Sequence, residues 1–173
     1  KRVAVYVYRD QLSFVKKVFG WTTVEMNVAG LADPGQRRLF MTSIYDPCKP
    51  AEHMRKMPLH ELTHVLLPSG MVWVREGIAH YEAGMIGPVD AGALPRTIDD
   101  LPFYRGDAET SVAYNLSGWL VKYIVEELLA GDAPRFVRFA RSPTDLSAIG
   151  VANEKALMDG WRAYLAATAA RRS

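Results

Sequence analysis

The tightest constraint on this chain is the run from Pro58 to Glu82, PLHELTHVLLPSGMVWVREGIAHYE, which sets His60, Glu61 and His64 in the order H-E-x-x-H. Residues four apart on a helix lie on one face, one turn above the other. A helix here therefore presents two imidazoles to one point, with the Glu61 carboxylate beside them. Pro58 suits a first turn, so either a helix starts near it or a longer one from Ala51 kinks there. Leu59, Leu62, Val65 and Leu66 supply an apolar face, and Pro68-Ser69-Gly70 stops the helix.

Two histidines on adjacent turns make a partial metal site. A hydrolytic zinc centre takes three protein ligands and keeps a position for water. The metal would lower the pKa of that water and polarise a carbonyl, while a neighbouring Glu handles the proton. The continuation decides the class of third ligand. A metzincin requires Gly and His three and six residues past the second His, but Leu67 and Gly70 stand there. A carboxylate on a following helix remains, and Glu76 fits it. A Pro-Ser-Gly turn precedes it, Trp73 anchors its helix, and Gly77 and Ala79 are small enough for that helix to approach the first one closely.

The rest of the chain reads as a sheet followed by helices. Val3–Tyr8 (VAVYVY) is a buried strand, Gln11–Phe19 a short helix ended by Gly20, Thr22–Val28 a second strand, and Arg38–Ile44 a third. Ala29–Gln36, with Gly30 and Asp33-Pro34-Gly35, is turn chemistry. The Phe40 strand is a candidate edge for pairing with an extended substrate. Val72–Ala83 is a helix closed by Gly84, and Gly87–Pro102 a long loop able to form a wall or lid. Asp107–Leu129 is the longest helical pattern, with a stripe of Val112, Leu116, Trp119, Leu120, Tyr123, Ile124 and Leu128. Asp132-Ala-Pro starts a helix through Arg141, and Asn153–Ala167 is the last, with Leu157, Trp161, Tyr164 and Leu165 inward. The expectation is one α+β domain over residues 1–173, with a mostly antiparallel sheet in 1–57 and a helical part holding the metal site in 58–173.

Bulk properties narrow the function. A chain of 173 residues, 49% hydrophobic and 23% charged, suffices for one sizeable core. A net charge of +2 gives no argument for nucleic acid, and no apolar run reaches the roughly 20 residues of a membrane helix. The one cysteine, Cys48, permits no internal disulfide and reads as incidental. The chain opens on Lys1, directly in a strand pattern, as a trimmed or mature domain does. An extracytoplasmic location is the corresponding expectation.

HELTHVLLP followed by WVREGIAHY resembles the peptidase MA-like gluzincin families, whose pattern is H-E-L-x-H and then W-x-x-E-G-x-A-x-Y. The resemblance continues through VAYNLSGWLVKYIVEELL and DGWRAYL, spanning roughly residues 55–166. It implies a zincin-like fold and one Zn2+ per chain, held by His60, His64 and Glu76. It implies Glu61 as general base and a peptide or protein as substrate. Tyr114, on the later helix, is a candidate donor to a developing oxyanion, as a Tyr or His is in gluzincins, with Ser117 one turn on a minor polar contact. The pattern departs at His80, four residues after Glu76, where gluzincins often carry an acid that orients a ligand His. His80 either contacts the metal cluster or sits at the surface, and His53 is read as a surface residue. Two other functions fit the same residues: a non-catalytic zincin-fold binding module, and a metal-dependent hydrolase of a non-peptide amide.

Overall fold

A computed structural model describes residues 2–24, 28–47, 49–89, 94–103 and 105–171. Cys48 and parts of the Thr22–Val28 and Gly87–Pro102 segments lie outside the described residues. The architecture is α+β, a small mixed sheet with mostly helical content. The chain divides into two compact units, Lys1–Pro68 with Glu82–Met85, and Ser69–Tyr81 with Ile86–Ser173.

The first unit carries β1 (Ala4–Tyr8), α1 (Gln11–Phe19), β2 (Gly30–Asp33), β3 (Arg38–Thr42) and α2 (Ala51–Leu66). The strand order is β1-β3-β2, with β1 parallel and β2 antiparallel to β3. The expected mostly antiparallel sheet is therefore mixed, because after α1 the chain runs back through β2 and the hairpin turn then sends β3 in β1's own direction. The second strand also lies later than Thr22–Val28. It occupies Gly30–Asp33, inside the segment read as turn, and runs straight into the Pro34–Arg37 turn. Asp33 closes that turn by accepting from the Gln36 amide at 3.0 Å. With partners on both sides, β3 has no free edge, so the Phe40 strand is not available to pair with a substrate.

β1 is also not the buried strand that VAVYVY suggests. Val5 is 54% and Val7 63% exposed. Tyr6 stacks on Phe40, its register partner, with centroids 5.1 Å apart. Burial instead falls on β3, through Leu39, Met41 and Thr42, and on Phe14 and Val15 of α1. A cluster of Ala29, Met41, Met54 and Met57, with Met85 packed against it, joins the sheet to α2.

α1 begins and ends as expected. Asp10 caps it by accepting from the Ser13 amide at 2.7 Å, and Gly20 closes it in the left-handed region at φ 74°. α2 is the longer of the two anticipated helices, passing through Pro58 without a break.

The second unit holds all but the last residue of α3 (Val72–Glu82), with α4 (Asp107–Tyr123), α5 (Ala133–Arg141) and α6 (Glu154–Ala170). α4 continues as a π-helical turn over Ile124–Leu128. Its stripe is buried from Leu116 to Ile124, whereas Val112 is exposed. Asp132 and Asn153 cap α5 and α6 through the amides of Arg135 and Ala156. Trp161, Phe139, Leu157 and Ile149 are among its most deeply buried side chains.

The long loop is held down at its described ends. Asn115 of α4 accepts from the Gly87 amide and donates to the Pro88 carbonyl, and Trp119 donates to the Gly87 carbonyl. Further along, Arg162 of α6 donates to the Pro95 carbonyl, and Glu154 accepts from the Ile98 amide.

The Asp10 cap makes α1 acid-sensitive. Hydrogen bonds from Ser13 and the Arg9 guanidinium hold the Asp10 carboxyl at about 2, against 3.8 ordinarily. A depressed folded-state pKa means stabilisation that is complete above pH 3.8 and lost as pH falls towards 2. In acid unfolding followed by circular dichroism, Asp10→Asn should remove that part of the pH dependence while keeping a capping oxygen.

Candidate metal centre

α2 carries the first part of the site on a single face. His60 and His64 lie one turn apart, with Nε2 atoms 3.1 Å from one another and ring planes at 89°. Two nitrogens each bound to one tetrahedral zinc at 2.0–2.1 Å stand about 3.3 Å apart, so the observed separation suits shared ligation. Both rings are buried, as are Glu61 and Thr63 between them. The Thr63 hydroxyl donates to the Leu59 carbonyl at 2.8 Å, so its polar group is satisfied within the helix.

The buried face of α2 comprises Met54, Met57, His60, Glu61, Thr63, His64 and Val65. The apolar face expected from Leu59, Leu62, Val65 and Leu66 is thus only partly inward, since Leu59 and Leu66 are exposed. Leucines point outward while histidines and a glutamate point inward. Burying ionisable groups costs free energy unless they are paired or ligate a metal, so this inversion is a cost that such partners would offset.

The third predicted ligand, Glu76, sits on α3 and is also buried. His60, His64 and Glu76 are thus each buried, and two imidazoles with one carboxylate are a donor set that could hold a metal ion. Arg75, adjacent in sequence, pairs its Nε with Glu76 Oε1 at 3.0 Å and offsets the buried charge.

α3 and α4 approach closely at Gly77. A Cβ there would stand 2.5 Å from the Ser117 carbonyl oxygen and 2.8 Å from Val121 Cγ2. The small residues after Glu76 are expected to admit the H-E-x-x-H helix, but the close approach at Gly77 is to α4.

Tyr114, the anticipated oxyanion donor, is half-buried on α4. Its ring meets His80 edge-on at 5.3 Å between centroids and lies 5.7 Å from Phe103. His80 is buried, which removes its surface reading. His53 is half-buried rather than a surface residue, and burial, with Lys49 next, lowers its pKa below the ordinary 6.5. Ser117 is fully buried.

Two contributors escaped the sequence reading. Arg75 was visible as the residue before Glu76, but nothing in a pattern says which neighbour an arginine will pair with. Gly30 lies against the Glu61 side chain, where a Cβ would be 2.5 Å from Oε1. Its signal was hidden by Asp33-Pro34-Gly35, which made the whole segment look like turn.

No family model, curated protein or solved structure matches this chain. The resemblance to gluzincins accordingly rests on the motifs themselves.

The Gly77 contact gives a direct prediction. Gly77→Ala must push a backbone oxygen and should cost about 1–3 kcal/mol of stability in denaturant unfolding. Gly70→Ala, with nothing within 4 Å of its added carbon, should stay within roughly 0.5 kcal/mol of wild type.

Proposed function

We propose that this protein is a zinc-dependent metallopeptidase of the gluzincin kind, built on a zincin-like fold. The observation that carries the reading is the buried His60–His64 pair, Nε2 atoms 3.1 Å apart on an H-E-x-x-H helix, with a buried glutamate, Glu76, on the helix that follows in sequence. Two imidazoles and a carboxylate are a donor set that zinc favours in hydrolytic centres. Bound there, zinc would supply Lewis-acid activation of a water and of the scissile carbonyl.

The chain's own groups divide the remaining work. Glu61, next to His60 on the buried face, takes the proton of the attacking water and returns it to the leaving amine. Arg75 steadies the Glu76 carboxylate through its 3.0 Å ion pair. Tyr114, braced by His80 and Phe103, supplies a hydroxyl for the oxyanion that forms at the carbonyl. The substrate is a peptide or protein.

Metal analysis of the purified protein should find about one zinc per chain, and His60→Ala should lose it. Glu61→Gln should retain the metal while hydrolysis of a peptide library falls by roughly 10²–10⁴-fold. Zinc-free wild type, or full activity in Glu61→Gln, would sink the reading. Bound zinc without turnover of any peptide would assign a binding module, and cleavage confined to peptidoglycan-type amides would assign a hydrolase of non-peptide linkages.

A further inference from the structure

Glycine within a strand is unfavourable, because it loses more conformational freedom on folding than any other residue and packs no side chain. Gly30 nevertheless stands in β2, paired in register with Met41. Its backbone does not require glycine, since it is not among the residues with positive φ. The requirement comes from a neighbour. A Cβ at Gly30 would lie 2.5 Å from Glu61 Oε1, 2.9 Å from Cγ and 3.0 Å from Cδ. Three atoms of one side chain fill the space that any other residue would need. Glu61 is only 5% exposed, so it has little open solvent to swing into.

We propose that Gly30 is a positioning residue for Glu61. Its missing side chain lets the carboxylate lie flat against the β2 backbone, which fixes the direction from which Glu61 takes a proton. This inference rests on Glu61 acting as the general base.

A double-mutant cycle tests it with two independent readouts. In the zinc-free protein, Gly30→Ala should lower the melting temperature by about 4–8 °C. In a Glu61→Ala background the same change should be neutral or raise it, since alanine outperforms glycine in a strand once the clash is gone. In the zinc-loaded protein, Gly30→Ala should keep its zinc and hold KM within about twofold. Its kcat should fall by roughly tenfold or more, as a displaced base demands. Gly35→Ala in the adjacent turn, where the nearest atom is Asp33 Oδ1 at 3.5 Å, should match wild type in both assays.

A melting-temperature loss that persists undiminished in the Glu61→Ala background overturns the proposal. So does wild-type kcat in Gly30→Ala when Glu61→Gln is inactive. If the wild-type protein itself hydrolyses no peptide, the metallopeptidase reading fails and the positioning role falls with it. The thermal cycle still reports whether the two residues compete for one space, so the two failures are distinguishable.

Discussion

The structure depends on one helical turn, the step from His60 to His64 that brings two Nε2 atoms to 3.1 Å. A 3.6-residue repeat guarantees that residues four apart share a face, but not that the face is inward. The rest of the first unit supplies that. Met54, Met57 and Val65 flank the imidazoles with apolar surface, and Ala29 and Met41 of the sheet region receive the methionines. The cost of burying two imidazoles and a glutamate is thus set against the burial of their apolar neighbours. Leu59 and Leu66 are left outside, so hydrophobic gain along α2 is given up where the site takes precedence.

What was legible in the sequence follows from local rules. Asp132 and Asn153 announce helix starts because their side chains accept from amides three residues on. Gly20 announces an end because it tolerates positive φ. His60 and His64 were legible as a pair because helical spacing constrains both side chains at once.

What was not legible depends on partners distant in sequence. VAVYVY has the composition of a buried strand, yet nothing in it reveals that β1, among the described residues, pairs along one side only. The direction of that pairing was equally hidden, because alternating residues look alike in parallel and antiparallel ladders. His80 is a comparable case: only the contact with Tyr114 on α4 shows that this histidine faces inward. The loop after Gly87 reads as irregular, and its tethers come from Asn115, Trp119 and Arg162, far along the chain.

The parallel pairing of β1 with β3 has a consequence for how the chain acquires its structure. The β2–β3 hairpin closes over the short turn at Pro34–Arg37 and forms from local contacts. β1 must wait for a partner whose register aligns Ala4 with Arg38, so a loop of more than thirty residues closes first. During synthesis from the N-terminus, this apolar segment therefore emerges well before the strand it pairs with. Until β3 arrives, AVYVY is uncharged, β-prone and open along both edges, the features of a segment that self-associates. A delay between synthesis and pairing is thus built in at β1, even though the candidate chemistry lies far downstream.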